Sequence, residues 1–189
     1  MIIKVILSLL FVTISLGDEL NETYNNFVSQ KGETIKFYEY YLPFFDIKYS
    51  GVNASVRKYT TDRDIAYFYL LSYRDYIAAI TYEDLLELIN AIEPLKNESE
   101  KDMSSDIQYT QNKYITNEGL QLGYYYSSGM KGKQIIFGAS TPNVKWFLTF
   151  DTFLSNNTAV IGSIDSLKKS LIFGKNKIDS LVNQPEFNK

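Results

Sequence analysis

The acidic side chains are the first place to look for chemistry, because this chain of 189 residues contains no histidine and no cysteine. Ser-His-Asp hydrolysis, cysteine nucleophiles and His/Cys ligation of zinc, copper or haem cannot be assembled from it. Carboxylate chemistry, Ser-Lys dyads and oxygen-ligand calcium sites stay open. Glycoside hydrolysis by paired acids needs two carboxyl groups a few ångströms apart, one of them kept protonated by burial. Glu39 and Asp46, in stretches that read as strands, and Asp151, which follows WFLTF, are acids set among apolar residues. Edge strands and turns produce the same pattern, so no catalytic residue is assigned. Asp62 and Asp64 in TTDRDIAY are spaced like the first ligands of a calcium loop. The further ligands and the glycine of such a loop are missing, which reduces the stretch to a solvated turn. GMKGK at 129–133 has glycines and lysines without the phosphate-loop pattern and reads as a hairpin tip, and Lys168-Lys169 reads as a solvated helix face. No cofactor or metal site is expected.

Aromatic side chains are the other candidates, with 16 tyrosines and 12 phenylalanines. Tyr38-Tyr40-Tyr41 and Tyr124-Tyr125-Tyr126 form two clusters. Side chains alternate across a strand, so neighbouring tyrosines face both sides and leave some rings at the surface. Exposed rings stack on sugars or anchor a protein partner. Tyr124 and Tyr126 are the candidate partner contacts, while the lone Trp146 reads as packing. The expected function is a non-catalytic exported domain that binds a protein or a glycan through an aromatic sheet face. Two rivals stand beside it: a glycan-active hydrolase working with carboxylates alone, and a structural subunit of a cell-envelope assembly.

The elements that must hold these residues are mostly strands. ETIKFYEYYL, FFDIKYS, NASVRKYT and DIAYFYLLSY are short runs rich in β-branched and aromatic residues, punctuated by Pro43, Ser50-Gly51 and Thr60-Thr61-Asp62. Such spacing predicts antiparallel strands joined by tight turns. In the last run Ala66, Phe68 and Leu70 oppose Tyr67, Tyr69 and Leu71; both faces are apolar or aromatic, which places this strand centrally, and DYIAAI continues or pairs with it. TYEDLLELINAI then carries Thr81 as a cap, Glu83 and Asp84 at the positive end of the dipole, and a stripe of Leu85, Leu88, Ile89 and Ile92. Pro94 is expected to end this helix, leaving 96–106 as a polar connector. IQYTQNKYI, LQLGYYYSS, KQIIFGAS and VKWFLTFDTFL repeat the strand pattern. SIDSLKKSLIFGK supplies a second helix, capped by Ser163 and stopped at Gly174.

The fold class is therefore α+β, mostly antiparallel sheet of about eight to ten short strands, with amphipathic helices at about 81–93 and 163–174. Thr81 and Ser163 stand 82 positions apart, as do Leu85 with Leu167 and Ile89 with Leu171. IKFYEYY and LQLGYYY match in type at 85. Either an internal duplication or the common grammar of two sheet-then-helix segments produces such matches.

The chain opens MIIKVILSLLFVTISLGDEL, with one cation, a short apolar run, and small residues at Ser15 and Gly17. That is the pattern of a secretory signal peptide over 1–17, cut near Gly17/Asp18, which directs the product to a secreted or periplasmic location. No integral membrane segment is expected after cleavage, since the run falls short of about 20 residues. Residues 18–32 read as a flexible N-terminal segment, 33–176 as a single α+β domain with 33–96 and 107–176 as its halves, and 177–189 as a tail. Without cysteine the exported product has no disulfide, so packing and hydrogen bonds must hold it. Four glycosylation sequons, at Asn21, Asn53, Asn97 and Asn156, arise readily by chance in so Asn-rich a chain, and the composition leans toward a bacterial exported protein. Removing Lys4 leaves 18 cations against 22 acids, a net charge of −4. With no cluster of lysine or arginine, nucleic acid is not an expected partner.

Overall fold

A computed structural model describes Tyr24 and residues 27–29, 31–43, 51–128, 143–150 and 157–183. The leader, the FFDIKYS and KQIIFGAS runs, the 129–133 tip, Asp46, Asp151, Asn21 and Asn156 lie outside the described residues. Two four-stranded antiparallel meanders carry the fold. Sheet A is β1 (Lys36–Tyr41), β2 (Val52–Thr60), β3 (Ile65–Tyr73) and β4 (Tyr76–Ile80), followed by helix α1 (Tyr82–Met103). Sheet B is β5 (Tyr109–Ile115), β6 (Gln121–Ser127), β7 (Asn143–Thr149) and β8 (Thr158–Ile161), followed by helix α2 (Ile164–Val182). The α+β class and the antiparallel sheets agree with the sequence, and the repeated order of four strands then a helix hints at a duplication. Among the described residues, no helix is long and apolar enough to cross a membrane.

Strand registers make the two halves comparable residue by residue. Tyr69 and Leu71 of β3 oppose Ile80 and Ala78 of β4, while Trp146 and Leu148 of β7 oppose Ile161 and Ala159 of β8. All eight turn toward one shared core. A two-residue turn, with Arg74 in the left-handed region (φ 53°), joins β3 to β4. β3 is central, and its alternation sends Phe68 and Leu70 to the opposite face. There Tyr24, Phe27 and Val28, from the stretch expected to be a flexible lead-in, pack on Tyr59 and Phe68. Their spacing of three and four is a helical apolar stripe inside a polar segment.

Each helix lies chiefly on the other half's sheet: α1 on β5 and β6, α2 on β2 and β3. Two buried tyrosines fasten this exchange. Tyr69 of sheet A shares a hydrogen bond of 2.9 Å with Ser170 of α2, and the Tyr124 hydroxyl of sheet B donates to Asp102 Oδ2 of α1 at 2.6 Å. Across the helix pair, Lys96 meets Asp165 at 2.8 Å and Lys168 meets Glu93 at 2.5 Å, so Lys168 is not simply a solvated side chain. Such solvent-facing pairs set register more than stability.

Both helices outrun their expected ends. α1 begins as expected, with the Thr81 hydroxyl accepting from the Asp84 amide, but it passes through Pro94 to Met103. The ring removes the amide that would reach the Asn90 carbonyl, a cost of about 3 kcal/mol. Packing beyond the proline offsets it, since Leu95, Ser99 and Asp102 are buried and Asp102 holds Tyr124. The polar connector shrinks to 104–108. α2 likewise passes Gly174, and residues 177–182 of the expected tail belong to it. Gly174 is a notch rather than a stop: a Cβ there would sit 2.2 Å from Cδ2 of the fully buried Tyr69 ring. Past it the stripe resumes with Ile178 and Leu181. Consequently the lysines at 168, 169 and 175 sit before the last turn, which carries no basic residue.

Gly174→Ala is expected to cost about 1–3 kcal/mol of unfolding free energy, read as a lower urea midpoint at unchanged slope. Made in a Tyr69→Leu background, the same substitution is expected to cost much less. Equal losses in both backgrounds would mean that the ring is not what Gly174 makes room for.

Candidate functional site

The candidate tyrosines of β6 are core residues. Tyr124 and Tyr126 are 0% and 2% exposed on the face covered by α1. Burial and then Asp102 push the Tyr124 hydroxyl up to about 12, and its ring leans on Trp146 at 5.3 Å. Tyr125 points the other way and stacks on Phe147. Neither Tyr124 nor Tyr126 reaches a surface where a partner could sit. The tyrosines of β1 behave differently: Tyr41 is 82% exposed, with Phe37 and Tyr38 also at the surface. β1 is the edge of sheet A, and its rings carry cations, Lys36 over Tyr38 and Lys177 over Tyr40. Edge position separates the two clusters, and similar sequences cannot reveal it.

Of the acids singled out in the sequence, Glu39, Asp62 and Asp64 lie among the described residues, and each sits in an ordinary strand or turn setting. Glu39 takes Arg57 at 3.1 Å and the Ser55 hydroxyl at 2.8 Å, a fastening of β1 to β2. Asp62 and Asp64 sit in the β2–β3 turn, where Thr61 accepts the Asp64 amide at 2.9 Å. Among the described residues no three acidic side chains come together as metal ligands.

A carboxyl pair that sequence reasoning missed lies where the β5–β6 turn meets the start of α1. Asp84, 1% exposed, accepts the Asn117 side-chain amide at 2.8 Å, with the backbone amides of Asn117 and Glu118 also turned toward it. Gly119, with φ +84°, closes that turn. Burial, and second the charge of Asp84, push Glu118 up to about 8; burial also raises Asp84. One oxygen of each carboxyl is buried without a partner, Asp84 Oδ2 and Glu118 Oε1. The pair docks a turn onto a helix N-terminus, and no cavity among those described opens onto Glu118.

Among the described residues, a cavity arises where sheet A gives way to α1. β4 ends at Ile80 opposite Tyr69, but β3 continues to Ile65. Residues 65–68 pair with β2 on one side and, among the described residues, with no strand on the other. A cavity of about 440 Å³ lies there. Ala66, Tyr67 and Phe68 line it from β3, the first turn of α1 adds Tyr82 and Glu83, and α2 adds Ile178 and Val182. Tyr82 donates to Asp179 Oδ1 at 2.7 Å and Lys175 to Oδ2 at 2.6 Å. Lys175, and after it Tyr82, hold the Asp179 carboxyl below its ordinary range. The lining is largely apolar with a few fixed polar groups, and the size lies within the roughly 300–1,000 Å³ of ligand sites. A second, more open groove of about 590 Å³ runs between α1 and β5, bordered by Glu87, Glu98 and Pro94.

No protein-family model matches the chain, and neither curated proteins nor solved structures yield a match.

Because Glu118 has its folded-state affinity for a proton raised, the stability it contributes is full below pH ~4.5 and is lost as pH climbs through about 8. Glu118→Gln is expected to remove that decline, stabilising the fold by on the order of 1 kcal/mol at pH 8 and changing little at pH 4. Melting curves across this range decide it; a variant that tracks the parent at every pH would contradict the assignment. Tyr124→Phe leaves the buried Asp102 carboxylate without its donor and is expected to cost about 1.5–3 kcal/mol. Denaturant titration checks the loss, and an unchanged midpoint would remove the structural role given to Tyr124.

Proposed function

We propose that this chain is an exported, non-catalytic binding domain whose partner is a protein. The observation that carries the reading is the edge of β3 at residues 65–68, which no strand pairs among the described residues, beside a largely apolar cavity. A backbone edge offers amide and carbonyl groups at a regular spacing, which another polypeptide matches and a sugar does not. The exposed rings of Phe37, Tyr38 and Tyr41 on β1 supply a second surface of the kind that anchors protein partners. Asp179, one of the acids lining the cavity, is a poor candidate for a catalytic acid. Asp179 is ion-paired and held ionised, so it has no proton to give a leaving group. Export rests on the leader pattern at the start of the chain.

Two measurements test this reading. N-terminal sequencing of the product recovered outside the cytoplasm is expected to begin near Asp18, whereas an unprocessed cytoplasmic product would defeat the export half. The purified mature chain, offered to a displayed peptide library and to a glycan array, is expected to select peptides and leave glycans intact. Glycan binding or cleavage without any peptide selection would replace the binding domain with one of its rivals.

A further inference from the structure

We propose that residues 65–68 of β3 form a docking edge that takes one extended peptide segment of a partner as an added strand. An apolar side chain of that segment enters the adjoining cavity, and a lysine or arginine lies at the mouth. This deepens the binding reading above and rests on it.

Three observations lead to the occupant. In a strand, alternate residues turn their amide and carbonyl to opposite edges, so two of these four residues present both groups to the side where β4 has already ended. Ile65, Ala66, Tyr67 and Phe68 carry no charge and no proline, the devices that ordinarily guard an edge. The edge is about 13 Å long and recessed between the start of α1 and the end of α2. A recess of that length suits a lone extended chain better than the edge of a second folded sheet.

Charge selects among such chains. Glu83 lines the cavity as an exposed acid, and Asp179 lines it as well, already paired with Lys175 and Tyr82. The last turn of α2 has no basic residue, and Asn183 spends both its backbone and its side-chain amide on the Asp179 carbonyl. The remaining carbonyls at the negative end of that helix dipole favour a cation. The cavity itself, lined by Ala66, Phe68, Ile178 and Val182, favours an aliphatic or aromatic side chain.

The test uses the exported form of the chain and eight-residue peptides that alternate valine with threonine and carry one lysine at each position in turn. Amide hydrogen exchange is expected to show peptide-dependent protection within residues 65–68. Methylating the peptide nitrogens at every second position is expected to weaken binding about tenfold for one of the two alternating sets and less than twofold for the other, the signature of strand addition. Glu83→Lys is expected to weaken lysine-bearing peptides about threefold to fivefold and leave a lysine-free peptide unchanged. Equal effects of the two methylation sets would overturn the proposal, as would protection of 65–68 in a self-associated chain without peptide. Peptides that bind without protecting 65–68 would overturn this site while leaving the protein-binding reading in place. Glycan binding with no peptide binding would overturn both.

Discussion

Each half of this chain leaves the inner face of its sheet for the other half's helix to cover. That exchange is the constraint from which most other features follow. Sheet A needs α2, which is made last, and sheet B needs α1, which is made before sheet B exists. A four-stranded meander left alone would expose its apolar face to water, and a lone amphipathic helix is marginal. The buried side chains therefore form one principal core drawn from both halves. For a chain without cysteine, joining two small layers into one core raises the fraction of apolar surface removed from water without any covalent staple.

The exchange also explains why particular polar groups are buried. A hydrophobic interface between helix and sheet is non-directional and tolerates sliding. Tyr69 with Ser170, and Tyr124 with Asp102, are directional bonds placed one on each exchanged contact. Gly174 belongs to the same device, because α2 can reach the Tyr69 hydroxyl with Ser170 only if the next turn lets the ring pass. Asp84 does comparable work at the other end of α1, gripping the β5–β6 turn of the opposite half. Tyr69 and Tyr124 thus each act as a long apolar side chain with a hydroxyl that reaches a fixed partner.

Much of this architecture is legible from periodicity, and the failures share one cause. Alternation located β3 and its two faces, and cap chemistry located the starts of both helices at Thr81 and Ser163. Helix ends were misjudged because Pro94 and Gly174 are local stop signals, whereas the energy that carries each helix onward comes from residues distant in sequence: Tyr124 for α1 and Tyr69 for α2. The same limit applied to the tyrosine clusters. YEYY and GYYY look alike, yet one strand is an edge and the other lies beneath a helix, a difference fixed by which strands pair and not by composition. Glu118 was invisible for a related reason: its perturbation arises only when a turn of one half meets the helix of the other.

The misread end of α2 is also what turns a topological accident into a cavity. Any strand that must leave a sheet to become a crossing helix ends early and exposes the neighbour it was pairing with. β4 abandons β3 at Tyr69, and β8 abandons β7 at Trp146, leaving 65–68 and 143–145 beyond the last pair. Had α2 stopped at Gly174, residues 65–68 would keep, among the described residues, only the first turn of α1 beside them. The extra two turns bring Ile178 and Val182 over that edge and place Asp179 against Tyr82 at the start of α1. The helix extension thus encloses an edge that, among the described residues, no strand pairs. Covering an apolar edge shields it from indiscriminate aggregation even where no neighbouring strand pairs with it.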